Sequence, residues 1–246
     1  MKTGAESYLE GAQQTLDKIK NQIPSIRQAA ALISGAVQAG RTVFSFGASH
    51  SFMMTEELVY RSGGFMLVNP IYPHGMNLGV RPLTMTSKLE RLDGLGKILF
   101  ENSPAVAEDI LILTSTSGRN TVIIDMALAA RERGLRIIGV TSLEYSASVA
   151  SRHAGGKKLA DLCDVVLDNG APVGDAVAVI PDFPQKVGPV STVGGCSILN
   201  AVIAESVSLL ASSGMTPPVF MSANQNGGDE FNKRVLDANR DRIHYM

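Results

Sequence analysis

One pattern that occurs twice constrains the fold more than anything else in the chain: a short apolar run, a turn of glycine and hydroxyl residues, then a helix. The fuller copy opens with Asp109-Ile-Leu-Ile-Leu-Thr-Ser-Thr-Ser-Gly-Arg-Asn120. Ile110 to Leu113 offers no polar face to water, so it reads as a strand buried on both sides. Thr121 to Arg133, rich in Ala, Leu and Met, reads as a helix closed by Gly134. The other copy is Thr42-Val-Phe-Ser-Phe46, then Gly47-Ala-Ser-His-Ser51, then a helix from Phe52 to Arg61 stopped by Ser62-Gly-Gly64.

A helix start carries unpaired backbone N–H groups and the positive end of the macrodipole, so it holds an anion without any lysine. Ser115, Thr116, Ser117, Gly118, Asn120 and Thr121 place neutral donors beside one such start, and Ser49 and Ser51 beside the other. Two helix tips at neighbouring strand ends can grip one ligand from two sides, and this donor set suits a phosphate monoester. The competing reading is two ordinary helices with hydroxyl caps. Neither strand is followed by Gly-x-Gly-x-x-Gly, and Gly-x-x-x-x-Gly-Lys-Ser/Thr is absent, which argues against a dinucleotide or a nucleoside triphosphate.

The remaining chain fits around these units. Tyr8, Leu9, Ala12, Leu16, Ile19, Ile23 and Ile26 recur at helical spacing, with Pro24 dividing the region into two helices and Gly40 closing the second. Residues 1–40 therefore read as a helical extension to a compact unit spanning 41–246. Phe65 to Val68 reads as a strand, Asn69 to Thr86 as a long irregular stretch, and Ser87 to Phe100 as a helix despite Gly94 and Gly96. Arg136 to Thr141 and Val165 to Asp168 read as further strands, and Ala176 to Ile180 as an edge strand among prolines. Strand, helix and strand at this spacing form right-handed crossovers and imply a parallel sheet. Ser191 to Ser213 is a nearly uncharged helix, and a charged helix from about Asp229 to Arg242 ends the chain.

Composition bounds the function. With 246 residues, 45% hydrophobic and 18% charged, the chain builds a large core. A net charge of -1 gives no reason to expect nucleic acid or an anionic membrane. Cys163 and Cys196 can pair, yet no repeated cysteine spacing suggests a disulfide framework or a zinc site, and no cluster asks for a metal. The start, Met1-Lys-Thr-Gly-Ala-Glu6, is polar and runs into a helical pattern, so a cytoplasmic protein without signal peptide or membrane span is expected.

Gly47-Ala-Ser49, Ser115-Thr-Ser-Gly-Arg119 with its helix, and Gly134-Leu-Arg-Ile-Ile-Gly-Val-Thr-Ser142 resemble the sugar isomerase (SIS) domain of phosphosugar isomerases and phosphosugar-sensing regulators. Sedoheptulose-7-phosphate isomerases and N-acetylmuramic acid 6-phosphate etherases are the most similar members, and the etherase turn also reads Ser-Gly-Arg. The resemblance covers about Arg41 to Leu210. It implies a flavodoxin-like, three-layer α/β/α fold with a mostly parallel sheet. It also implies a phosphorylated sugar held by Ser49 and the Ser115 to Asn120 loop, in a site completed across a homodimer or higher homo-oligomer. Some sedoheptulose-7-phosphate isomerases use a metal, but the residues of this chain give no reason to expect a cofactor. Asn120 stands where the family usually has Thr; its amide can still donate to a phosphate oxygen.

An aldose–ketose isomerisation needs a base beside the carbonyl and groups that stabilise an enediolate; an etherase needs a similar proton abstraction before elimination. Glu205 is the first candidate, because a carboxylate in an otherwise apolar helix has its pKa raised by desolvation, and the equivalent helix lines the site in related isomerases. Its alternative role is pairing with an arginine at a helix or subunit contact. His50, inside the first turn, suits donation to sugar oxygens or a proton relay. Glu56 and Glu57 follow on the next helix, with Glu57 the second carboxylate candidate. His74 and the Asn224 to Glu230 turn are further positions for lining a sugar. The expectation is thus a sugar-phosphate isomerase, with an amino-sugar-phosphate lyase or a non-catalytic sensing module as alternatives. No basic helix-turn-helix precedes the domain to favour the last.

Overall fold

The computed structural model describes residues 2–246. Helices α1 (Gly4–Lys20) and α2 (Ile23–Gln38) lead into strand β1 (Val43–Gly47) and helix α3 (Phe52–Leu58). Strand β2 (Val68–Pro70), short helices α4 (Thr84–Leu89) and α5 (Leu95–Glu101), strand β3 (Ile110–Thr114) and helix α6 (Thr121–Arg133) follow. Strand β4 (Arg136–Thr141), helix α7 (Leu143–Ser148) and strand β5 (Val165–Asp168) complete the sheet. A small pair β6 (Ala176–Ala178) and β7 (Val187–Pro189), the long helix α8 (Ser191–Ser212) and helix α9 (Gly228–Ala238) end the chain.

The five main strands are all parallel, in the order β2-β1-β3-β4-β5. The alternation in β3 explains why its sequence is wholly apolar. Ile110 and Ile112 face one core with Ile33 of α2 and Leu199 and Val202 of α8. Leu111 and Leu113 face the other with Phe100 of α5 and Met126 of α6. Two helical layers therefore enclose the sheet, giving the three-layer α/β/α architecture, and each fully buried Phe, Leu or Ile contributes ~1.5–3 kcal/mol. The strand order reverses between β1 and β3, so both chain directions leave a crevice beyond the carboxyl ends of these two strands.

Local signals account for the boundaries. A reciprocal Thr3–Glu6 capping box starts α1, and Pro24 sits in the first turn of α2. Gly134, with φ 87°, closes α6. Four segments differ from the sequence reading. The expected helix from Ser87 to Phe100 is two helices, because Gly94 takes φ 80° between them. Helix α3 stops at Leu58 rather than Arg61, with Tyr60 at φ 49°. The expected strand at Phe65 to Val68 joins the sheet only from Val68, while Phe65 bridges Val219 in antiparallel sense. The expected edge strand near Ala176 pairs with β7 in a separate ribbon, since the prolines around it interrupt a longer ladder. Helix α8 is long and apolar enough to cross a membrane by composition alone, yet its Ile198, Leu199 and Val202 lie in the core against α2.

Candidate functional site

Both hydroxyl turns open into the β1/β3 crevice. Gly47 ends β1 where a Cβ would lie 2.3 Å from Thr114 Oγ1 and 2.4 Å from the Ser51 carbonyl oxygen, so any side chain there would force the two turns apart. Thr114 Oγ1 occupies that space, donating to the Ser51 carbonyl at 2.8 Å and lying 3.2 Å from the Phe46 carbonyl. One side chain thus fastens the end of β3 to the turn after β1. Ser49 sits at φ 56°, with its N–H donating to the Met76 carbonyl at 2.8 Å, which docks the long Asn69 to Thr86 segment onto the turn.

The turn after β3 is shaped from within. Gly118, at φ 61°, donates its N–H to Ser115 Oγ at 3.2 Å. The Thr116 carbonyl accepts from Thr141 Oγ1 at 3.1 Å and from the Ser142 N–H at 2.9 Å, and Thr116 Oγ1 lies 3.4 Å from Asn169 Nδ2. Thr116 therefore braces β4 and β5. Thr121 is buried, with Oγ1 3.5 Å from the Arg152 carbonyl.

Sequence reasoning passed over Glu90, the residue that follows α4. Its carbonyl accepts the Val122 N–H at 3.1 Å, satisfying one of the free donors of α6. Its carboxylate accepts from Asn120 Nδ2 at 2.5 Å, and Asn120 Oδ1 accepts from Arg152 Nη1 at 2.6 Å. The Asn120 amide is thus committed to Glu90 and Arg152. Burial lifts the Glu90 carboxyl above its ordinary value, while Asn120, Arg91, Arg152 and His50 pull it back. A narrow crevice of about 20 Å³ is lined by Ser51, Glu90, Thr114, Ser115 and Asn120, with Ala48 and Val122 beside them.

The fold brings Ser51, Ser115 and Asn120 to one crevice, with Ser49, Ser117, Gly118 and Thr121 in the turns that frame it and the exposed His50 close enough to act on the Glu90 charge. It does not bring Glu57 or Glu205 there. Glu57 accepts from Asn200 Nδ2 of α8 at 3.0 Å and pairs with Arg61. Glu205 lies 3.4 Å from Arg27 Nε of α2, the pairing foreseen as its alternative role. The reason is the direction of α8. Its Gly194 packs against the Asn169 carbonyl at the carboxyl end of β5, and Glu205 is roughly 16 Å further along the helix, towards the amino ends of the strands. No short-range spacing marked Glu90, because it enters the crevice from a segment whose helix breaks four residues later at Gly94.

Neither thiol is poised for chemistry: both cysteines are free, and burial pushes Cys163 up to about 12 and Cys196 up to about 11. Among the described residues no three His, Cys, Asp or Glu side chains gather as a metal site.

Comparison with known proteins agrees with this architecture. The SIS domain family matches residues 7–142. A UPF0309 protein of Oceanobacillus iheyensis is 45% identical over 90% of each chain, and one of Streptomyces coelicolor is 41% identical over 98% of this chain and 97% of its own. Among solved structures, the phosphoheptose isomerase of Francisella tularensis shares the fold with a TM-score of 0.55 at 16% identity, covering 82% of this chain and 95% of that one. The phosphoheptose isomerase GmhA of Neisseria gonorrhoeae gives 0.54 at 16% identity, over 83% and 96%.

Proposed function

This chain belongs to the SIS domain family, and from that premise we propose that it binds a phosphorylated sugar in the β1/β3 crevice and interconverts its aldose and ketose forms. The observation that carries this reading is the meeting of two hydroxyl turns and one half-buried carboxyl at the point where the strand order reverses. The phosphate sits at the start of α6, held by the hydroxyls of Ser51, Ser115 and Ser117 and by helix-terminal N–H groups. The sugar then reaches past Glu90 and the exposed His50.

Glu90 takes the proton from the carbon beside the carbonyl and returns it to the former carbonyl carbon, while the proton of the adjacent hydroxyl passes to the carbonyl oxygen, so that an enediol forms and the hydroxyl carbon becomes the new carbonyl. Burial raises its pKa towards the range where a carboxylate is an effective base. The Asn120 amide fixes which way the carboxylate faces. The activity of the two phosphoheptose isomerases of like fold agrees with this reading. A homodimer is part of it: less than half of the most apolar window of α8 is buried within one chain, which leaves a face for a second copy to cover.

The test is incubation with a panel of aldose and ketose phosphates in deuterated water. Isomerisation with deuterium entering the carbon beside the carbonyl supports the reading. Release of a lactyl group would point to a lyase, and binding without turnover to a sensing module.

A further inference from the structure

Three guanidinium groups gather at the lip of the crevice, around the start of α6. Arg91 follows Glu90, Arg119 precedes Asn120, and Arg152 lies in the loop after α7. The Arg152 N–H donates to the Arg119 carbonyl at 2.9 Å while its Nη1 holds Asn120, so the loop is tied to the helix start. The Nε of Arg119 is buried with no hydrogen-bond partner. Burial and then the like charges of Arg119 and Arg91 lower the Arg152 guanidinium from its usual value, which places the three within reach of one another's fields. None of the three forms a salt bridge with a carboxylate among the described residues, and each flanks or holds a residue that lines the crevice. Arg91 and Arg152 act on the Glu90 carboxyl, and Arg119 stands beside Arg152.

A monophosphate is already provided for by the hydroxyl turns and the helix terminus, so the cationic excess calls for further negative charge. Resting on the phosphosugar reading above, we infer that the ligand carries a second anionic group, a carboxylate or a second phosphate, received by Arg91, Arg119 and Arg152. Guanidinium forks match both oxyanions with paired hydrogen bonds.

Calorimetric titration of the full-length protein with glucose 6-phosphate, 6-phosphogluconate and fructose 1,6-bisphosphate tests this. At low salt at least one doubly anionic probe binds about tenfold or more tightly than glucose 6-phosphate, a difference of ~1.4 kcal/mol, and the margin shrinks as salt is added. Whichever of the two leads identifies the second group. Arg91→Gln and Arg119→Gln, each checked for an unchanged melting temperature, remove most of that margin and leave glucose 6-phosphate binding little altered. Equal affinity for all three probes overturns the inference while leaving the phosphosugar reading intact. So does an equal loss for every probe in the arginine variants, which would assign the arginines to the first phosphate. Failure of all three probes to bind overturns the phosphosugar reading itself.

Discussion

Glu90 and Glu205 show how differently two regions of one fold treat a glutamate. Glu205 lies in an almost uncharged helix, yet its side chain is 34% exposed and is answered by Arg27. Glu90 follows a short polar helix beside Arg91, and burial raises its carboxyl. Helix composition reports how apolar a neighbourhood is along the chain. It does not report which end of the sheet a given turn of the helix reaches. In a parallel sheet the carboxyl ends of β1 and β3 hold the crevice, and α8 carries Glu205 away from it.

The largest effect expected from this contrast is on turnover. Glu90→Gln lowers kcat by roughly 10²–10⁴-fold, the usual worth of a general base, with sugar-phosphate binding retained; steady-state kinetics on the variant decide it, and undiminished kcat would remove Glu90 from the chemistry. Replacing Ser115 and Ser117 together by Ala sharpens the picture on the binding side. Losing hydrogen bonds to a charged phosphate costs ~1.5–3 kcal/mol each, so affinity falls by tenfold or more while the fold persists. Unchanged affinity would detach the β3 turn from the site.

The pH dependence tests Glu90 further. The folded-state pKa of Glu90 lies above its ordinary 4.5, so the folded protein favours the protonated form. Its contribution to stability is full below the unfolded value and is lost as pH rises through the raised one. The melting temperature of the wild type should therefore fall relative to Glu90→Gln as pH climbs from about 4.5, and kcat/KM should show an acid limb above the usual carboxylate range. The smallest effect belongs to Glu205→Gln. A half-exposed pair with Arg27 is worth about 0.2–1 kcal/mol, so thermal unfolding shifts slightly and kcat does not change. A large loss of kcat there would reverse the assignment of the two residues.

Much of this is legible in the sequence alone. The apolar runs of β1, β3 and β4, the glycine and hydroxyl turns after them, and the position of Gly134 follow from burial and helix-end chemistry, both local in sequence. The convergence of Ser51 and Ser115 also follows, once the sheet is parallel and its order reverses between β1 and β3. Glu90 and the three arginines could not be read the same way. They come from three separate segments, and only the packing of the α4 to α5 turn and of the loop after α7 against the start of α6 brings Arg91 and Arg152 beside Arg119 and Asn120. The broken helix at Gly94 had the same origin, since helix-forming residues on both sides masked a single positive φ.

The most direct test of the whole account is a crystal structure with a hexose 6-phosphate bound. The account predicts the phosphate at the start of α6, between Ser51 and the Ser115 to Ser117 turn, with the sugar carbons against Glu90. A phosphate bound elsewhere, with the β1/β3 crevice filled by water or protein atoms, would contradict it.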